Sequence, residues 1–214
     1  MLPQPRYNQL SSWINRSHLE ENKIKEYQKS FSQNQLFSHL QIKKIFVEEK
    51  VIVLLSALSQ EKFSLKRSDL FTFFQTNDFA GMENKIIQEF RAFLASPEFL
   101  EFIEDITGIK LAPNIVDMTA SLYQDTHFLL PHDDRLKGRT LAYSYYLSTL
   151  QDGEGGALLL YDSEDNKPVK ISKKILPELN SFMFFLVSKK SFHEVEEVVG
   201  SNCRLAISGW LHGY

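Results

Sequence analysis

Residues 129–148 read LLPHDDRLKGRTLAYSYYLS, and the second half of that stretch decides the fold. Leu141, Tyr143, Tyr145 and Leu147 alternate with Ala142, Ser144, Tyr146 and Ser148, the two-residue period of a strand whose faces meet different surroundings. The same alternation recurs on both sides. Upstream, over 114–123, Val116, Met118, Ala120 and Leu122 oppose Asp117, Thr119, Ser121 and Tyr123. Downstream, over 204–212, Arg204, Ala206, Ser208 and Trp210 oppose Leu205, Ile207, Gly209 and Leu211. Between them, GEGG at 153–156 is a turn before a strand over 157–161, and SFMFFLV at 181–187 is apolar on both faces, which predicts a buried strand. Short strands parted by turn residues predict a sandwich or jelly roll.

Three of these strands share an unusual face. Thr119/Ser121/Tyr123, Ala142/Ser144/Tyr146 and Arg204/Ala206/Ser208 are small or hydroxyl-bearing, with none of the lysines and glutamates of a solvated surface. Such residues suit the lining of a cavity that leaves room for a polar ligand. Ahead of residue 113 the texture is helical. Ile86, Ile87, Phe90 and Leu94 predict a helix over 83–95, Ser96-Pro97 opens a second over 98–107, and Gly108 closes it. A polar stretch over 10–31 predicts a surface helix, 36–46 a strand and 47–58 a helix. Helices first and strands later give an α+β order.

Composition fits one domain with room for an extension. The 214 residues, 43% hydrophobic and 24% charged with 9 Gly and 7 Pro, exclude disordered and collagen-like classes. A chain of this length needs no disulfides to hold its core, and the lone Cys203 favours a reducing, cytoplasmic setting. The apolar run VIVLLSAL at 51–58 is too short to span a bilayer, and MLPQPRYNQLSSW lacks the features of a signal peptide. The net charge is −3, with 8 Lys/Arg against 5 Asp/Glu in residues 1–60. No dense basic stripe appears, so neither nucleic-acid nor membrane binding is expected. The pairs Lys43-Lys44, Lys173-Lys174 and Lys189-Lys190 are expected at solvated edges.

His132-x-Asp134 follows the first of the alternating strands, and on an extended segment residues two apart face the same side. With 6 His in the chain that spacing alone is a weak signal. It gains weight from His193, directly after the apolar strand, and from Arg204 on the next. Two imidazoles and a carboxylate with open positions suit non-haem Fe(II), and an arginine can fork onto a dicarboxylate. His18, His39, His127 and His212 are expected to be surface or core histidines.

At this point the sequence resembles a family. LLPHDDRLKGRTLAYSYYLS, GGALLLYD, NSFMFFLVSKKSFHEVEEVV and NCRLAISGWLHG are similar to successive blocks of the 2-oxoglutarate- and Fe(II)-dependent prolyl hydroxylases. They resemble in particular the branch whose eukaryotic members hydroxylate a proline of a small-subunit ribosomal protein, and FSLKRSDLFTFFQTND resembles the segment ahead of that branch's catalytic strands. The resemblance implies a double-stranded β-helix, a jelly-roll barrel with supporting helices mainly N-terminal. It divides the chain into a helical extension (1–35) and an oxygenase domain (36–214), the latter into helical support (36–112) and catalytic barrel (113–214). It implies iron held by His132, Asp134 and His193, with Arg204 on the C5 carboxylate of 2-oxoglutarate. Tyr146 and Tyr123 match tyrosines that hold the co-substrate. Asp133 is expected to point away, and Arg139 matches a residue that could serve structure or substrate.

The implied reaction consumes O₂ and 2-oxoglutarate, yields succinate and CO₂, and takes ascorbate as a candidate reductant. The implied partner is a protein or peptide containing proline. An oxygenase acting on a free amino acid or small metabolite, a cupin-like metal enzyme without 2-oxoglutarate, and a barrel that senses or docks without turnover are the rival readings. The chain departs from the family at Arg204-Leu205-Ala206, where Arg-x-Ser is usual. The second, non-catalytic barrel of the eukaryotic relatives adds nothing that can be carried over here. Oligomeric state is not readable.

Overall fold

Helical spacing before residue 113 and strand alternation after it each become the element they predict. The structure is a computed structural model that describes residues 5–34 and 36–214, with the side chains of residues 5, 6 and 8 left aside. The helical elements are α1 (Glu21–Ser32), α2 (Glu48–Leu58), α3 (Lys85–Leu94) and α4 (Pro97–Thr107). The strands ahead of the barrel are β1 (His39–Lys43), β2 (Ser64–Ser68) and β3 (Phe71–Gln75). Then come β4 (Val116–Tyr123), β5 (Phe128–His132), β6 (Arg139–Tyr146), β7 (Leu158–Glu164), β8 (Lys167–Ile175), β9 (Ser181–Leu186), β10 (His193–Val195) and β11 (Arg204–His212). Side chains set the helix ends. The Asn84 carboxamide accepts from the Ile86 and Ile87 amides, Ser96 caps α4 ahead of Pro97, and Gly108 closes it in a left-handed conformation (φ 73°).

All strand pairings are antiparallel and build one sheet in the order β1-β9-β6-β11-β4-β3-β5-β10-β7-β8, with β2 added to β3. Its two terminal strands, β1 and β8, carry the exposed Lys43 and Lys173–Lys174 as expected of edges. They also meet, because Lys173 Nζ lies 2.8 Å from Nε2 of the buried His39. The sheet therefore curls into a half-barrel. Its convex face packs under the helices, where Met118, Ala120, Tyr143, Tyr145, Phe182, Phe184 and Ile207 join Phe46, Phe90, Phe99 and Phe102 in the main core. The concave face carries the small and hydroxyl-bearing residues, as their alternation predicts.

One reading needed correction, and several strands went unread. The stretch over 10–31 is not one surface helix but two 3-10 turns followed by α1, with Leu10, Ile14, Leu19, Ile24, Tyr27 and Phe31 buried in the main core. The break arises where Ile14 bridges Phe46 and the Asn15 carboxamide donates to the carbonyls of Lys44 and Phe46, contacts that helical periodicity cannot report. The segment FSLKRSDLFTFFQTND, for which only a resemblance was given, contains the β2–β3 hairpin. Strand β8, lysine-rich and exposed on both faces, escaped notice because it buries little beyond Ile175. Residues 1–4 and 35 of the opening segment lie outside the described residues. No helix among the described residues is long and apolar enough to cross a membrane.

Candidate metal and co-substrate site

Strand pairing, rather than sequence proximity, gathers the first three candidates. His132 ends β5 and His193 begins β10, and the two are register partners. Their rings lie 4.1 Å apart between centroids. Asp134 reaches the same point differently from the sequence expectation. It lies beyond the end of β5 with φ 61°, and this left-handed turn, not a two-residue strand repeat, aims its carboxylate back at the imidazoles. Oδ1 is 3.6 Å from His132 Nε2 and Oδ2 is 3.3 Å from His193 Nε2. One donor atom from each residue falls within 4.8 Å of the others, spacing that can hold one ion. Asp133 points away as expected, onto the Arg135 side chain at 2.6 Å.

Hydrogen bonds orient both imidazoles. His132 Nδ1 is 2.9 Å from the Leu130 carbonyl and His193 Nδ1 is 2.8 Å from the Ser191 carbonyl. A carbonyl only accepts, so each Nδ1–H donates to it, and each Nε2 is the ring atom turned toward the carboxylate. Burial, aided by the field of His193, lowers the His132 pKa to about 4. For Asp134, burial pushes upward but is outweighed by the His193 hydrogen bond and the fields of both histidines, with Trp210 adding to them, and the carboxyl is held at about 2. A neutral His132 and an ionised Asp134 at neutral pH are ready to bind a cation without first losing protons.

These residues line a cavity of about 170 Å³ that also receives Arg204, Tyr123, Ser121, Thr119, Ser144, Ser208 and Trp210. Arg204 is 1% exposed. Its Nε has no hydrogen-bond partner, and no carboxylate of the described residues pairs with it. The rings of Tyr123 and Tyr146 flank its guanidinium, each centroid 5.1 Å from Cζ. Burial raises both phenols against the lowering field of Arg204, so both stay protonated and can donate. The Tyr146 hydroxyl is buried without a well-formed bond of its own. A buried cation beside unspent donors is costly unless an anion completes it. The donor set thus fits both a divalent metal and a carboxylate ligand.

All six residues singled out in the sequence therefore gather around one concave face. Sequence reasoning passed over Trp210, although the β11 alternation places it on the face of Arg204; its ring carries the Arg139 guanidinium at 3.3 Å. Phe185, whose ring meets that of His193 at 4.6 Å, was also missed, hidden inside a run apolar on both faces. The other histidines have structural surroundings. His18 meets Tyr27, His39 meets Lys173, His212 meets Asp117, and His127 packs on Phe74.

Two imidazoles and a carboxylate on a jelly-roll half-barrel, sharing their cavity with an unpaired arginine, are the donor set that suits mononuclear non-haem iron with open coordination positions. Residues 118–212 match the family described as the 2OG-Fe(II) oxygenase superfamily. Among curated proteins, it is 39% identical over 154 residues to the Xenopus laevis protein named prolyl 3-hydroxylase OGFOD1, covering 71% of this chain and 30% of that one. It is 34% identical over 166 residues to the Drosophila melanogaster prolyl 3-hydroxylase sudestada1, covering 73% and 30%. The chain spans about 30% of the length of these relatives. A crystal structure of a Pseudomonas putida prolyl-4-hydroxylase shares the fold with a TM-score of 0.69 at 16% identity, over 88% of this chain and 99% of that one. The double-stranded β-helix expected from the sequence is thus the fold observed.

Proposed function

We propose that this chain is a 2-oxoglutarate- and Fe(II)-dependent dioxygenase that hydroxylates proline in a protein or peptide. One observation carries the reading: the metal-competent cluster shares its cavity with Arg204, a buried guanidinium that lacks a carboxylate of its own. In this reading His132, Asp134 and His193 hold the iron through two Nε2 atoms and one carboxylate. Arg204 grips the far carboxylate of 2-oxoglutarate, and the protonated Tyr146 and Tyr123 hydroxyls donate beside it. Bound iron would supply O₂ activation, coupling decarboxylation of 2-oxoglutarate to succinate with oxidation of the substrate. The protein's part is to fix the donor geometry, orient the co-substrate and shield the pocket.

The substrate class follows the names of the relatives, prolyl 3-hydroxylases, and the resemblance of the sequence blocks makes a proline of a ribosomal protein the specific candidate. Ascorbate serves as reductant. Residues 36–214 form the oxygenase domain, with 36–112 its helical support and 113–214 its catalytic barrel, and residues 1–35 an extension. We place the protein in the cytoplasm, in keeping with its single free cysteine. The test supplies Fe(II), 2-oxoglutarate, ascorbate and proline-containing peptides, and reads succinate together with a one-oxygen mass increase on proline. Both signals in the parent and neither in His132→Ala are expected. Succinate driven by free amino acids but by no peptide would replace the substrate class. No 2-oxoglutarate consumption with iron bound would overturn the reaction.

A further inference from the structure

Ser121 sits at the middle of the cavity-facing row of β4, between Thr119 and Tyr123, and is 6% exposed. The other serine and threonine hydroxyls of this concave face have partners. Thr119 Oγ1 accepts from Gln75 Nε2 at 3.1 Å, and Ser144 and Ser208 bond to each other at 3.2 Å. Ser121 makes only a 3.5 Å approach to the Ala206 carbonyl, at the outer limit of a hydrogen bond. Buried hydroxyls are ordinarily satisfied, and one left this loosely held in a polar cavity has a donor to spend.

The register says where that donor can act. Ser121 pairs with Ala206 and Tyr123 with Arg204 across the β4–β11 ladder. Ser121 is therefore the diagonal neighbour of Arg204 on the same face, with a distance that long side chains and their ligands bridge. Opposite it stands a methyl group, which leaves the hydroxyl room to turn into the cavity. A carboxylate offers about four acceptor positions, more than an arginine fork and one phenol occupy. We infer that Ser121 is a co-substrate-binding residue, donating to the carboxylate that Arg204 holds and standing in for the hydroxyl that Ala206 does not provide. The inference rests on the 2-oxoglutarate reading above.

The experiment measures binding, not turnover. The full chain is loaded with Mn(II) in place of iron, and 2-oxoglutarate is titrated calorimetrically into the parent, Ser121→Ala, Ala206→Ser and the double variant. Ser121→Ala is expected to weaken 2-oxoglutarate about tenfold. The double variant, which moves the hydroxyl across the ladder, is expected to recover to within about threefold of the parent. Oxalate, too short to reach from the metal to Arg204, is expected to bind all four alike, which a general disturbance of the pocket would not allow. Unchanged affinity in Ser121→Ala, or a double variant as weak as Ser121→Ala, overturns the inference and leaves the 2-oxoglutarate reading standing. A parent that binds oxalate but no 2-oxoglutarate overturns both.

Discussion

Replacing Arg204 by Met should move two quantities in opposite directions. The guanidinium is 1% exposed and its Nε is unpartnered. Arg204→Met keeps most of the side-chain volume and forfeits two cation–π contacts, each worth about 0.5–2 kcal/mol. It also removes a buried, uncompensated charge whose penalty is several kcal/mol. The ligand-free variant should therefore be as stable as the parent or more so. Bound 2-oxoglutarate reverses the sign. Truncating one partner of a buried charge pair costs about 2–5 kcal/mol, or about 30-fold to several-thousand-fold in Kd. Thermal unfolding with and without Mn(II) and 2-oxoglutarate reads both effects. At a ligand concentration about 100 times the parent's Kd, the parent gains about 2.7 kcal/mol. For a chain of this size that is about 5–10 °C in Tm. The variant at the same concentration should gain about 3 °C or less. A ligand-free Arg204→Met destabilised by more than about 3 kcal/mol, with an undiminished ligand shift, would refute the reasoning and make Arg204 a structural residue.

Three further outcomes follow from the geometry. Asp134→Ala should weaken Mn(II) or Fe(II) binding by at least about 100-fold, more than the loss of a ligand's hydrogen-bond partner typically causes; parent-like affinity in equilibrium dialysis would remove Asp134 from the metal site. Gly209→Ala should cost about 3 kcal/mol and lower Tm by about 6–12 °C, because its Cβ would meet the Asp117 carbonyl oxygen at 1.7 Å in the β4–β11 ladder; an unchanged melting curve would contradict the register. Acid should destabilise the fold through His39, whose pKa is lowered from its ordinary 6.5 by burial and Lys173 against an opposing bond to Phe37. The unfolded chain binds that proton more readily than the folded one, so stability falls as pH drops through about 6.5. His39→Gln should flatten the loss of Tm between about pH 7.5 and 5.5, and an identical slope would assign the acid lability elsewhere, to His18 or His132.

The barrel was legible where one face of a strand is core and the other cavity. Arg204–His212 was read with the same bounds that the structure gives β11, and the polar sides of β4, β6 and β11 were read as a lining. What escaped lacks that contrast. Strand β8 buries almost nothing, and β10 is only three residues long, set by pairing with β5 and β7. The opening segment misled for a related reason: its apolar residues are few, yet Ile14 and Leu19 are wholly buried against partners far along the chain. In the site, His132, Asp134, His193 and Arg204 were singled out by residue type and order together with the family resemblance, and the structure brings all four to one cavity. The left-handed turn at Asp134 and the stacking of Arg139 on Trp210 did not show in residue order, because both depend on where the chain returns after β5 and β11.

The most direct test of the central claim is an anaerobic titration of the purified chain with Fe(II) and then 2-oxoglutarate, followed by visible absorption. The account predicts a weak charge-transfer band that appears only when both are present, as expected for iron with an open, chelated face, and that is lost in Asp134→Ala. Iron bound with no band and no calorimetric heat on adding 2-oxoglutarate would contradict it.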